Sequence, residues 1–285
     1  VKQRHLAIIG CGDMGSRVGL ALAGLGWQIS ALRRNTSRLP ASFVPFSGDY
    51  TCAADLRGIA ATTPDHVLFT PLPTSRDSGG YELGFAGGVR AMAESGLLAR
   101  ADYSVMVSST RVYAEVDGGW VDEQSALTTS DTSAQAIIRA EQLFAQASSA
   151  STCVRASGVY GVLPGMLLAR IKSGLASADS ARYSNRIHRD DLAGIIRFLL
   201  TKYGSATVLP GCLLASDDNP AMIGEVEAWL AKQLGVELHP STDVSAGGRG
   251  NRRCRNQRVK ALGYSLRYPT FQQGYSAILK SEGER

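Results

Sequence analysis

The sequence predicts an α/β protein: a doubly wound parallel sheet, followed by a smaller region woven from the C-terminal segments. Three observations carry this. Short β-rich apolar runs alternate with stretches of helical period through the first half of the chain. The first two runs, His5–Ile9 and Gln28–Leu32, are joined by a glycine turn and a helix within about 30 residues, the spacing of a strand–helix–strand unit with a right-handed crossover. Finally, 31 glycines stand against 10 prolines without collagen spacing, a surplus that suits tight turns and close backbone approach.

Taken in order, His5–Ile9 reads as the first strand, Met14–Leu25 as a helix and Gln28–Leu32 as the second strand. Phe43–Phe46 reads as a third short strand, Ala53–Ala61 as a helix and His66–Thr70 as a fourth strand. Tyr81–Ser95 has helical spacing, and Tyr103–Val107 is a fifth strand running into Ser108-Ser109-Thr110. Ala134–Gln146 is a helix and Thr152–Ala156 a sixth strand. Beyond it, Met166–Lys172 reads as a helix. Asp190 and Asp191 mark the first turn of another, where carboxylates favour the dipole, running to Lys202. Val208–Ala215 reads as a strand. Pro220 is expected to open a helix to Leu234, since proline is tolerated in a first turn, and Ser245–Arg255 is expected to be loop. No repeat or long linker interrupts the chain. Residues 1–160 are therefore expected to form the sheet domain, and residues 161–285 a mainly substrate-binding region interleaved with it in one compact unit.

Composition narrows the function classes. Hydrophobic residues make up 44% and charged residues 19%, the balance of a folded chain rather than a disordered one. Thirty Lys+Arg against 25 Asp+Glu give a net charge of +5, too mild to argue for nucleic acid. No apolar run approaches the ~20 residues of a membrane helix, so no membrane partner is expected. Cys11, Cys52, Cys153, Cys212 and Cys254 are scattered, with no Cys-x-x-Cys or Cys/His metal spacing, and no metal is expected. Val1–Gly10 lacks the zones of a secretory signal, and reduced thiols in a cytoplasm are the expected setting.

Gly10-Cys11-Gly12-Asp13-Met14-Gly15 fits G-x-G-x-x-G between an expected strand and an expected helix, the context that gives the pattern meaning in a Rossmann-like fold. Gly10 allows the tight turn, Gly12 lets backbone approach a pyrophosphate, and Gly15 lets helix and strand pack closely. The N–H groups of Asp13 and Met14 and the helix dipole complete the anion site. Where NAD binding prefers an acidic residue at the end of the second strand, this sequence has Leu32-Arg33-Arg34-Asn35. Two guanidinium groups suit a 2′-phosphate, so NADP(H) is expected over NAD(H). Solvated arginines are the competing reading. Asp49, after the third strand, could receive an adenine amino group or simply form a turn.

Four segments now stand in order: the glycine loop, Ser108-Ser109-Thr110-Arg111-Val112-Tyr113, Arg155-Ala156-Ser157-Gly158-Val159-Tyr160-Gly161, and Asn185-Arg186-Ile187-His188-Arg189-Asp190-Asp191-Leu192-Ala193. Together they resemble the extended short-chain dehydrogenase/reductase superfamily, in its NAD-dependent epimerase/dehydratase-like group, over most of the chain. Ala261-Leu262-Gly263-Tyr264 and Arg267-Tyr268-Pro269 look like an atypical subgroup of small epimerase-like proteins. The resemblance implies chemistry by a Tyr with a Lys four residues later, the ammonium and cofactor lowering the phenol's pKa. None of the ten tyrosines has Lys at that spacing. Arg139-Ala140-Glu141 resembles the tail of the family's catalytic helix, and counting back puts Ile137 at the Lys position and Ser133 at the Tyr position.

The resemblance leaves other groups for the site. Ser109 or Thr110 matches the family's hydroxyl that hydrogen-bonds the substrate oxygen. Tyr113, past the same strand end, could donate a proton or be a packing residue. Ser133 could bond a substrate but is a poor acid. Tyr160 and His188 fall in motifs near the family's substrate region, with a capping or structural role the alternative for His188. The basic stretch Arg249, Arg252, Arg253, Arg255, Arg258 and Lys260 is read as a solvated loop or a face for an anionic substrate. The sequence thus points to an NADP(H)-dependent oxidoreductase acting on a small carbonyl, imine or sugar-like substrate. An epimerase or dehydratase with bound cofactor and a cofactor-sensing binding protein stand as rivals, and a homodimer is open to it by analogy.

Overall fold

The computed structural model describes residues 3–161, 165–204, 208–239 and 250–283. The elements are β1 (His5–Ile9), α1 (Asp13–Ala23), β2 (Gln28–Arg33), β3 (Val44–Ser47), α2 (Ala53–Ala60) and β4 (His66–Phe69). A helical run follows as α3 (Ser78–Tyr81), a π-helical stretch Glu82–Gly87, α4 (Gly88–Glu94) and α5 (Leu97–Arg100). Next come β5 (Tyr103–Ser109), β6 (Trp120–Val121), α6 (Thr132–Ala147), β7 (Ser151–Ala156), β8 (Gly158–Tyr160) and α7 (Met166–Lys172). The chain ends with β9 (Tyr183–Ser184), β10 (Arg186–His188), α8 (Arg189–Lys202), β11 (Cys212–Ala215), β12 (Ala221–Met222), α9 (Ile223–Leu234), β13 (Arg253–Cys254), α10 (Gln257–Ala261) and α11 (Phe271–Gly283).

Seven strands form one sheet in the order β11-β7-β5-β4-β1-β2-β3. The pairings that join β3, β2, β1, β4 and β5 are all parallel, with Ile9 opposite Leu32 on one side and Phe69 on the other. β1 and β4 are buried at every residue, as strands covered on both faces must be. The strand order reverses at β1, so right-handed crossovers place α1 on one face of the sheet and α2, α4 and α6, which pack together, on the other. The doubly wound α/β fold read from the sequence is the fold observed.

Four local expectations are corrected. The helix expected from Tyr81 begins at Ser78, because Asp77 caps it by accepting the Gly80 N–H at 2.7 Å; Gly79 and Gly80 had hidden that start. A Cβ at Gly80 would lie 2.2 Å from Ser75 Oγ, so the glycine is required by the preceding loop. The strand expected from Val208 is limited to Cys212–Ala215. Pro220 does not open α9: Ala221–Met222 first pairs antiparallel with β9, and the helix starts at Ile223 with Glu225 accepting the Met222 N–H at 2.8 Å. The expected loop at Ser245–Arg255 contains β13, while residues 245–249, Arg249 among them, lie outside the described residues. Among the described residues no helix is long and apolar enough to cross a membrane.

The chain divides into two compact units, each built from discontinuous segments. Unit 1 is Val1–Val112, Leu127–Arg155 and Ala193–Leu213; unit 2 is Tyr113–Ala126, Ala156–Leu192 and Leu214–Arg285.

Unit 1 contains a buried polar triad among apolar neighbours. Glu141 on α6 accepts from Ser108 Oγ at 2.5 Å and from the Arg155 guanidinium at 2.7 to 3.2 Å, with both charged side chains under a tenth exposed. Truncating one partner strands the other charge, at a cost of about 3–5 kcal/mol, whereas removing both costs far less. Urea unfolding should therefore show Glu141→Ala as strongly destabilising and Glu141→Leu with Arg155→Met much less so. Equal losses in the two proteins would refute the pairing.

Unit 2 packs α7, α9 and α11 around Leu168, Ile171, Val226, Leu230, Phe271, Tyr275 and Ile278. Beside that core Asp217 is 1% exposed. Burial pushes its carboxyl up to about 8 against the opposing Arg186 charge and Asn219 N–H, while Asp218 and Asp191 push in the same direction as burial. A folded pKa above the unfolded value means the contribution is full below about pH 4 and is lost as pH rises through about 8. Melting temperature followed from pH 4 to 9 should fall less steeply in Asp217→Asn than in the parent.

Candidate functional site

In unit 1 the glycine loop leaves the C-terminal end of β1, where the strand order reverses and α/β folds open a crevice. Its three glycines do three different things. Gly10 has φ +75°, and its carbonyl accepts the Thr70 hydroxyl at 2.7 Å, tying the loop to the end of β4. Gly15 is buried under α1, and a Cβ there would lie 2.8 Å from Ile8 Cγ2. Gly12 is extended and caps α1 without any side-chain bond to the helix N–H groups. A Cβ on Gly12 would meet nothing nearer than the Gly10 carbonyl at 4.0 Å. The helix N-terminus therefore faces open space rather than protein, the cradle a pyrophosphate needs.

The surroundings suit an anion. The Cys11 N–H donates to the Leu32 carbonyl at 3.1 Å, pinning the loop beside the end of β2. Arg33 is half-buried, Arg34 is exposed, and neither has an ion pair among the described residues. Burial pushes the Cys11 thiol up, with the Ser16 hydroxyl and the Arg33 charge opposing. Asp13 is exposed and pairs with Arg17 at 3.2 Å, so its charge is partly offset where an anion would sit. Met14 is half-buried in the same first turn.

Asp49 forms a turn: its Oδ1 accepts the Thr51 N–H at 3.0 Å and hydroxyl at 2.8 Å. These bonds, the Thr51 N–H foremost, hold the carboxyl below the usual range, with the Arg34 charge contributing. Tyr50 next to it was not foreseen. Its ring lies 3.4 Å from where a Gly10 Cβ would stand and edge-on to Phe69. Its hydroxyl donates to the Leu72 carbonyl at 2.9 Å and accepts the Leu72 N–H at 3.2 Å.

A second cluster of unit 1 gathers where β5 ends. Ser109 Oγ accepts the Arg111 N–H at 3.1 Å, and Thr110 starts a 3₁₀ turn. Arg111 grips Asp131 through two bonds of 2.7 and 3.0 Å and lies 4.9 Å over the Tyr81 ring. Asp131 in turn caps α6 through the Ser133 and Ala134 N–H groups. Ser109 and Ser133 are thus joined through one salt-bridged link that the sequence reading missed. The Asp-Thr-Ser run before an apolar helix was its available signal. Ser133 is 6% exposed and Ile137 is 1% exposed, so the position that the resemblance assigns to a lysine carries a buried apolar side chain.

The remaining candidates belong to unit 2 and are packed there. Tyr113 is 1% exposed. His188 is 4% exposed; its Nδ1 accepts the Asp190 N–H at 3.2 Å, the capping geometry, and its ring lies between Tyr160 and Tyr268. Tyr160 stacks on Tyr275 at 4.6 Å, with its hydroxyl 1.8 Å from where a Gly274 Cβ would stand. Burial raises its pKa above the ordinary phenol value. Glu123, in the loop after β6, accepts the Leu214 N–H at 2.8 Å.

Comparison with known proteins agrees with this geometry. No family model matches the chain. Protein YeeZ of Escherichia coli K12 is 22% identical over 273 residues, covering 93% of this chain and 97% of its own length. A Methylobacillus flagellatus structure described as a candidate NAD-dependent epimerase/dehydratase is 28% identical, with a TM-score of 0.82 over 99% of this chain and 100% of its own. The Bordetella bronchiseptica enzyme WbmG, solved in complex with NAD, shares the fold at 16% identity, with a TM-score of 0.79 over 99% of this chain and 95% of its own. The resemblance carried by the four motifs holds in three dimensions: the chain has the extended short-chain dehydrogenase/reductase fold of the epimerase/dehydratase type.

Proposed function

We propose that this chain is a nicotinamide-dinucleotide-dependent enzyme of the epimerase/dehydratase type, with NADP(H) as preferred cofactor and a small carbonyl, imine or sugar-like compound as substrate. The observation that carries the reading is the cradle at Gly12, an uncapped helix start facing open space with no Cβ to fill it. The NAD seen with WbmG belongs to that protein. Here the end of β2 offers Arg33 and Arg34 where a ribose-binding carboxylate would stand, which supports a 2′-phosphate. We keep the cytoplasm as its setting.

When bound, the dinucleotide supplies hydride chemistry at its nicotinamide. The chain's own residues hold and orient. The N–H groups of Asp13 and Met14 receive the pyrophosphate, and Arg33 and Arg34 receive the ribose phosphate. Ser109 or Thr110 hydrogen-bonds the substrate oxygen at the strand end. With Tyr113 buried, the proton comes from water, which suits a reaction needing little acid assistance.

One observation favours a second reading, a dinucleotide-sensing protein without turnover: Ile137 is buried where the catalytic ammonium would stand. Titrating NADPH by its fluorescence serves both readings. Gly12→Asp should weaken NADPH binding at least about tenfold, and Arg33→Gln with Arg34→Gln should erase the preference for NADPH over NADH. Unchanged binding in Gly12→Asp would remove the cofactor site altogether. NADPH consumption with a panel of carbonyl compounds then separates enzyme from sensor.

A further inference from the structure

Unit 2 has an open surface pocket of about 490 Å³, lined by Trp120, Asp218, Arg255, Asn256, Gln257 and Lys260. That volume is within the range of small-molecule sites. None of these residues belongs to the glycine-loop site. Trp120 is 47% exposed, an unusual position for the largest apolar side chain. It sits on β6, and its backbone pairs with Arg253 of β13.

The two arginines on this tryptophan differ. Arg253 lies 5.0 Å from the rings of both Trp120 and Tyr183 and donates to the Gly118 carbonyl at 2.8 Å, so it clasps the structure together. Arg255 lies 5.2 Å from the Trp120 ring, is exposed, and has no ion pair among the described residues. Stacking on the indole holds its fork of donors in place, and a guanidinium sheds water readily. Asp218 is already engaged by Lys260 at 3.0 Å and by the Asn256 amide at 2.7 Å, while the ammonium stays half-exposed. Among the lining residues Arg255 and Lys260 stand against the one carboxylate of Asp218, an excess of positive charge.

We propose that this pocket binds a flat-ringed organic anion. Arg255 and Lys260 take its carboxylate or phosphate, the Gln257 amide adds a hydrogen bond, and the ring lies against the Trp120–Arg255 stack. This site is independent of the dinucleotide reading and can fail without it.

The test is calorimetric titration of the whole chain with uridine 5′-monophosphate, benzoate, ribose 5-phosphate and inorganic phosphate. At least one of the two ring-bearing anions should bind saturably; which of them binds identifies the anionic group. Arg255→Gln, an exposed change that leaves β6 and β13 intact, should weaken that binding about tenfold, as should Trp120→Leu. Gly12→Asp should leave it unchanged, and Arg255→Gln should leave NADPH binding unchanged. The proposal is overturned if neither ring-bearing anion binds, if ribose 5-phosphate or inorganic phosphate binds as tightly as they do, or if Arg255→Gln has no effect.

Discussion

The site depends on how closely α1 lies on the sheet. Gly15 and Gly19 present bare backbone to β1, and a methyl group at either would lie 2.8 Å from the Ile8 side chain. Because the helix sits that low, its first turn emerges level with the end of β1 and beside the end of β2. The Cys11–Leu32 bond then fixes the loop laterally. A larger residue would have to lift the helix or deform the strand, since packed interiors yield little. The open first turn of α1 is thus an outcome of helix–sheet packing, and the missing Cβ at Gly12 only leaves it open.

A similar economy governs α6. In the family it resembles, this helix presents the reacting pair; here its sequence serves structure. Its start is capped by Asp131, which also holds Arg111, and its buried Glu141 joins β5 to β7 through Ser108 and Arg155. Such a triad is costly to desolvate and stabilising only when fully paired, so it fixes the strand ends on which Ser109 and Thr110 stand.

Much of this was legible in the sequence. Apolar period located every strand of the main sheet, and Gly10 and Gly15 make the turn and the close helix–strand packing their spacing implied. What escaped was of two kinds. The start of α3 was hidden because Gly79 and Gly80 answer to a loop that touches them, a tertiary demand that local propensity does not register. Tyr50, Arg111 and Asp131 escaped because their bonds join segments 20 or more residues apart. Tyr160 and His188 lie in motifs that suggested a ligand, yet an aromatic cluster that includes Tyr268 and Tyr275 takes up their faces. Pattern identified those residues; only packing showed what they touch.

Ile137 bears on how such a protein could change. Its side chain is enclosed in the core of unit 1, 1% exposed. A lysine placed there would have its ammonium stripped of water and would tend to lose its proton, so it could not supply charge to a phenol. Placing a Tyr–Lys pair on this helix would first require opening a polar path around position 137. The packing of the core itself therefore keeps position 137 apolar.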